Sequence, residues 1–317
     1  MRALESTAGS IPRTTFGVPR QSNESKLFME FNLFLPQMRL SFEQLVARAK
    51  AAETAGFVGM TGMDHLEPPM ASGQPMYEAM VTSTWIAAHT QTLQVGSLVL
   101  CDAFRHPAVL ARQAVSIDHA SGGRYELGIG WGSVPDEFAT FGTGSMVPRE
   151  RVARLRETLE VVRALWAGET VSFDGEYHQL HGARQEPRPL RHIPIVIGGV
   201  GPKTLRLVSE CADWWNVHVG HINRIEELRP QIGSARVSIQ QMVALVPRGG
   251  DRDAITAMVK KRFSHSRPVI GDANELVDHY RRLQEQGIER VYTWFCDFAP
   301  PETLAEFGET VIAHGGR

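Results

Sequence analysis

The sequence predicts an α/β fold, a single (β/α)8 TIM barrel with insertions. Three observations predict it. Eight short apolar strand candidates alternate with stretches of helical period, the pattern of a parallel sheet wrapped by helices. The glycine-rich loops follow the fourth and fifth strands, whereas an open doubly wound sheet sets its glycine fingerprint after the first, with an acidic residue about 20 positions on. A length of 317 residues suits one barrel of about 250 residues plus insertions.

Residues 1–25 are rich in Ser, Thr, Arg, Gly and Pro without periodicity and read as a loose N-terminal extension; the barrel domain is expected over 26–317. LFMEFNLFLP makes the first strand, closed by Pro36. From Ser41, an expected N-cap, Phe42, Leu45, Val46 and Ala49 share one helical face, and the helix stops near Gly56. FVGMTGM is the second strand, with Asp64 and His65 at its C-terminal end. A helix from about Met76 to His89 precedes the third strand, LQVGSLVL, and one from Pro107 to His119 precedes the fourth, YELGIG. A long helix from about Arg149 to Ala167 keeps Val152, Leu155, Leu159, Val162 and Leu165 at helical spacing. The segment 170–192 reads as an insertion with a small hairpin, because Asp174-Gly175 between alternating residues favours a tight turn. IPIVIGG, WWNVHV, VSIQQMVALV and ERVYTWF complete the eight strands, with helical stretches between them.

Composition narrows the function. A hydrophobic content of 43% supports a sizeable core, and a formal charge of −2 with no basic stripe argues against a nucleic-acid partner. Cys101, Cys211 and Cys296 are scattered without metal-ligand spacing, which fits a reducing cytoplasm. No run of 18 apolar residues occurs and the first 25 residues lack an apolar signal core, so a soluble intracellular protein with no membrane partner is expected.

Chemistry in a barrel sits at the C-terminal ends of strands. Asp64 and His65 occupy such an end, and a histidine there can move a proton or stabilise an anion. Taken alone, a DH dipeptide favours a structural role. GIGWG, with Gly130, Trp131 and Gly132, is not a dinucleotide fingerprint on spacing, and tight strand packing accounts for it equally. IGGVGPKTL is the better anion site: Gly198, Gly199 and Gly201 lead into a helix opened by Pro202, with Thr204 in its first turn. A helix N-terminus that simply needs small residues explains it as well. His178 and His181 lie three apart without a third ligand, so a surface hairpin is expected there and no metal site. Arg105, after the third strand, and His218, at the end of WWNVHV, are candidate substrate contacts at the mouth.

Together GF…DH, GSLVLC…FRHPAVLAR, SGGRYELGIG and IPIVIGGVGPKTLRLV, in this order from about Leu27 to Trp215, resemble the bacterial luciferase-like family of flavin and deazaflavin oxidoreductases. The resemblance reverses the reading of the DH dipeptide. It implies His65 as proton donor, acceptor or anion stabiliser beside a reactive ring, and Asp64 as a cofactor contact. Relatives often carry a bulge after the third strand with a cis peptide that does not involve proline, which here would fall near Ser97, Leu98 and Val99, pressing on the ring. The resemblance also implies that Gly130, Trp131 and Gly132 border the cofactor, and that Gly198, Gly199, Gly201 and Thr204 cradle its phosphate. One departure stands out. Some deazaflavin enzymes place a catalytic acid just after the glycine loop, where this chain has Ser133, with Asp136 and Glu137 only further on.

The resemblance implies coenzyme F420 and hydride transfer to or from a small organic substrate. The alternative is a monooxygenase that uses reduced FMN supplied by a partner reductase, and a third reading is a barrel that binds a flavin without turnover. No convincing set of extra lysines and arginines at strand ends marks a sugar phosphate as the substrate. Relatives often form homodimers, and a homodimer is expected here.

Overall fold

The structure, a computed structural model, describes residues 29–315 except 70, 146, 264 and 265; the extension expected over 1–25 lies outside the described residues. All eight expected strands form, and they close on themselves. In chain order the elements are β1 (Glu30–Phe34), α1 (Phe42–Thr54), β2 (Gly59–Gly62), α2 (Ala79–His89), β3 (Gln94–Ser97), β4 (Leu100–Cys101), α3 (Pro107–Ser121) and β5 (Tyr125–Gly130). There follow α4 (Pro135–Phe141), α5 (Pro148–Ala167), β6 (Val171–Asp174), β7 (Gln179–Ala183), β8 (Ile195–Gly198), α6 (Pro202–Cys211) and β9 (Trp214–His218). The chain ends with α7 (Ile225–Leu228), β10 (Arg236–Leu245), α8 (Arg252–Arg262), β11 (Val269–Gly271), α9 (Ala273–Glu285), β12 (Arg290–Phe295), α10 (Pro301–Phe307) and α11 (Ala313–Gly315).

The ring runs β10-β12-β1-β2-β3-β5-β8-β9 and closes through parallel pairing of β9 with β10. Every pair in it is parallel, so all eight C-terminal ends share one rim. β4 extends the line of β3 along β5, and β11 pairs with the upper part of β10.

Local chemistry sets the helix starts. Ser41 and Gln44 form a reciprocal capping box on α1, satisfying two amides that the first turn leaves free. α2 begins at Ala79, three residues later than the periodicity suggests. The segment before it is used elsewhere: Pro75 and Tyr77 hydrogen-bond to Arg39 and Gln37, and the Glu78 carboxylate caps the helix from Val81 N at 2.7 Å. The outer face of the sheet carries the core. Phe31 meets Tyr280 and Phe307 edge-on at 4.9 and 5.7 Å, and Leu33, Leu45, Trp215 and Phe295 are buried.

The hairpin of the insertion forms as β6 and β7, but not with a two-residue turn, since Asp174 pairs with Gln179. Its four-residue loop is drawn onto α5, where Glu157 accepts from the amides of Glu176, Tyr177 and His178 at 2.8, 2.9 and 3.0 Å. The floor of the barrel, at the N-terminal ends of the strands, is ionic. Arg290 pairs with Glu126 and Glu30, Arg236 with Glu30 and Glu289, and both guanidinium groups stack on Trp214, at 3.8 and 4.0 Å from its centroid.

Candidate active site

The chain leaving β2 is held by a side chain acting as a strand. The Gln37 amide accepts from Met63 N at 3.0 Å and donates to Met63 O. Alternation then turns Asp64 inward and His65 toward the rim. The Asp64 carboxylate is buried and spoken for: it accepts from Cys101 N at 2.8 Å and from both terminal nitrogens of Arg105, at 2.5 and 2.9 Å. Arg105 also pairs with Glu78, and its side chain is 10% exposed. Asp64 and Arg105, expected as a cofactor and a substrate contact, pair with each other, and together they bind the end of β2 to β4 and α2.

His65 does face a partner, though an unexpected one. Its Nδ1 lies 3.0 Å from Oε2 of Glu137, a residue 7% exposed. The other oxygen, Oε1, accepts from the amides of Leu66 and Glu67, the latter at 3.3 Å. Glu137 reaches His65 because the loop after β5 turns sharply. Gly132 has φ +83, and a Cβ there would sit 2.4 Å from Cζ of Phe138. Pro135 then starts α4, with Glu137 in its acidic first turn. Arg151 locks the turn from behind, donating to Gly132 O at 3.0 Å and lying over the rings of Trp131 and Phe138 at 4.7 and 5.1 Å. A Cβ at Gly130 would come within 2.8 Å of Val99 Cγ2, so strand packing alone requires glycine there.

The continuous third strand expected from LQVGSLVL is broken into β3 and β4 by a cis peptide between Leu98 and Val99. Leu98 N donates to Gly62 O at 2.9 Å, which joins the bulge to the strand carrying His65. The Leu98 side chain packs with Phe34, Met63, Tyr292 and Trp294, an apolar floor inside the rim. Ser97, at the end of β3, is buried, and its carbonyl oxygen would lie 2.0 Å from a Cβ on Gly128.

Farther round the rim, β8 leads into α6. Gly199 has φ +123, a conformation that favours glycine, and its carbonyl accepts from Trp215 Nε1 at 2.8 Å. Gly198 and Gly201 differ, because a Cβ on either would meet only Asn216 O at 3.6 Å or Thr204 Oγ1 at 4.0 Å. These glycines therefore present bare backbone to open space. Gly201 caps α6 with no side-chain hydrogen bond, so the first-turn amides are offered outward. Thr204 is buried against Gly199. An apolar floor, a partly exposed imidazole and an uncapped helix N-terminus on one rim fit a cofactor that carries an apolar ring system and a phosphate.

His218 is exposed at the end of β9, where its Nδ1 accepts from Gly220 N at 3.1 Å. It lines a cavity of about 840 Å3 with Gln240, Met242 and Trp294, and Arg267 and Arg282 line the same cavity. Gln240, Trp294 and the contact of Glu137 with His65 were not foreseen. The available signal was Pro135, which marks a helix start three residues after the glycine loop and so brings Glu137 into its first turn.

Comparison with known proteins agrees with the barrel fold. A family described as luciferase-like monooxygenase matches residues 29–244. An F420-dependent glucose-6-phosphate dehydrogenase of Mycolicibacterium fortuitum is 36% identical over 172 residues, 54% of this chain and 51% of that one. Another, of Amycolatopsis mediterranei (strain U-32), is 30% identical over 279 residues, 83% of each chain. The chain thus spans about half the length of the first relative. Among solved structures, an F420-dependent secondary alcohol dehydrogenase in complex with an F420-acetone adduct shares the fold with a TM-score of 0.77 at 18% identity, covering 90% of this chain and 99% of that one.

Proposed function

The chain belongs to the luciferase-like monooxygenase family, and from that premise we propose that it is an oxidoreductase that binds coenzyme F420 and serves hydride transfer to or from a small organic substrate. The observation that carries this reading is the shared rim. His65 follows the end of β2, the apolar floor around Leu98 includes Met63 just before it, and the uncapped N-terminus of α6 lies on the same rim. F420, when bound, supplies the hydride chemistry. The residues of this chain supply the rest. Gly198 and Gly201 would offer open backbone to the phosphate, while Gly199, whose amide donates to Asn216 O, shapes the loop and Thr204 fixes the turn beneath it. Leu98 and Val99 support one face of the ring, Ser97 fixes the strand that bears them, and Gly130, Trp131 and Gly132 border its edge. His65 holds or moves the proton that accompanies the hydride.

The substrate enters beside His218. Relatives named for glucose 6-phosphate and a structural neighbour bound to an acetone adduct make hydroxyl-bearing molecules the first to screen. Arg267 and Arg282 in the His218 cavity suit an anionic one, with Arg105 engaged elsewhere. A second reading is favoured by the family's own description: a monooxygenase using reduced FMN from a partner reductase. Two further proposals follow. The free Cys101, Cys211 and Cys296 fit a cytoplasmic protein, and the exposed Val81, Trp85 and Val109 on α2 and α3 support a homodimer. No helix among the described residues is long and apolar enough to cross a membrane.

Titrating the purified protein with F420 and FMN, oxidised and reduced, tests the main reading. Micromolar F420 binding with feeble FMN binding supports it. Preference for reduced FMN turns it into the monooxygenase, and binding of neither overturns both.

A further inference from the structure

We infer that Glu137 is a positioning residue that selects the tautomer of His65, putting the proton on Nδ1 and leaving Nε2 as the nitrogen that accepts a proton at the mouth. The inference rests on the role proposed for His65 and explains how a chain with Ser133 after its glycine loop equips its histidine.

The geometry carries it. Glu137 divides its two oxygens between two tasks: Oε1 takes the amides of Leu66 and Glu67, and Oε2 takes Nδ1 of His65 at 3.0 Å. A carboxylate accepts and cannot donate, so Nδ1 carries the hydrogen. Which ring nitrogen is protonated is set by the hydrogen bond that the other makes. Nε2 has no hydrogen-bond partner among the described residues, and the His65 side chain keeps 19% exposure. Imidazole in water prefers the opposite tautomer, so the protein has to impose this one.

The same carboxylate fixes the ring in space. Residues 65–67 form the loop after β2, and Glu137 binds that loop at three points while itself sitting on α4, which Arg151 and Phe138 brace against Gly132. The β2 and β5 exits of the barrel are therefore tied together at the ring that works between them. A residue that only clamped loops would need just the two amide contacts on Oε1.

Glu137→Gln separates these tasks. Its amide oxygen keeps the bonds to Leu66 and Glu67, while its NH2 group can only donate to Nδ1, which forces the proton to Nε2. The test is long-range 1H–15N NMR at pH 8 on the full chain with 15N-labelled histidines, alone and with F420 added, assigning His65 by His65→Gln. The expected result is an Nδ1–H tautomer in the unchanged protein and an Nε2–H tautomer in Glu137→Gln, with F420 affinity kept within about threefold. With glucose 6-phosphate and 2-propanol as probe substrates, kcat is expected to fall about 100-fold in Glu137→Gln at unchanged KM, the scale of a lost general base. An Nε2–H tautomer in the unchanged protein, or an unmoved tautomer in Glu137→Gln, overturns the inference whatever the turnover. Full turnover by His65→Ala instead overturns the role proposed for His65 and leaves the tautomer result standing.

Discussion

His178 is buried, with Nε2 at 3.0 Å from Thr158 Oγ1. Burial, aided by the nearby Arg154 charge, lowers its pKa to about 4. The unfolded chain takes up the proton near the ordinary value of about 6.5, while the folded chain resists it until about 4. Stability is therefore lost as pH falls from about 6.5 to 4, by about 3 kcal/mol in all. Urea unfolding at pH 7 and pH 4.5 should show that loss in the unchanged protein and a shallower slope in His178→Gln, where nothing titrates; equal slopes refute it. The glycines of the β8–α6 loop make a second contrast. Gly199→Ala places a side chain at φ +123 and 3.2 Å from Thr204 Cγ2, and should destabilise the fold by about 1–3 kcal/mol. Gly201→Ala has φ −74 and open space. It should leave the thermal midpoint within about 2 °C while weakening F420 binding about tenfold, or about 1.4 kcal/mol. Unchanged F420 affinity in Gly201→Ala removes the phosphate from this loop.

At the level of elements, the ionic floor is the part of the barrel most exposed to a single loss. Arg290 and Glu126 are 3% and 4% exposed, Tyr292 donates its hydroxyl to Glu126 at 2.8 Å, and the Arg290 guanidinium bridges β12, β1 and β5. Those partners hold the Arg290 pKa above its ordinary value despite burial, and burial together with the Glu126 charge pushes that of Tyr292 up. Arg290→Met leaves the buried Glu126 carboxylate without its cation, while Glu30 keeps Arg236, and should cost about 3–5 kcal/mol in urea unfolding. Adding Glu126→Met should restore part of it, and strictly additive effects would deny the coupling. F420 affinity should not move, since the floor lies at the end of the strands opposite His65. The strands that frame this floor were legible because strand periodicity survives in runs such as YELGIG and ERVYTWF. The ion pairs were not, because Arg290 and Glu126 are 164 positions apart and nothing local couples them. The same limit hid the Asp64–Arg105 pair. The break at Leu98–Val99 was foreseen only through the family resemblance. Seven-residue α4 was missed because so short a helix shows little period, and with it went the route by which Glu137 meets His65.

On the scale of the whole molecule, two of the helices around the barrel, α2 and α3, show apolar side chains to solvent. Val81 and Trp85, one turn apart on α2, are 60% and 48% exposed, and Val109 on α3 is 51% exposed. Beside them runs a largely apolar groove of about 790 Å3 that includes Met80, Thr84 and Ala108. Isolated apolar residues on a surface mean little, but a contiguous strip across two packed helices marks a contact surface. A two-fold dimer fits because it lets one strip cover its own copy. The strip also touches the site's support: Glu78, at the N-cap of α2, pairs with Arg105, which in turn holds Asp64 beside His65. A double substitution Val81→Glu with Val109→Glu places like charges face to face across such an interface. Light scattering should then show a dimer for the unchanged chain and a monomer for the variant, with far-UV circular dichroism the same for both. Glu226→Lys on α7, away from the strip, should remain dimeric. A monomeric unchanged chain at tens of micromolar rules the dimer out, and a dimeric variant moves the interface off α2 and α3.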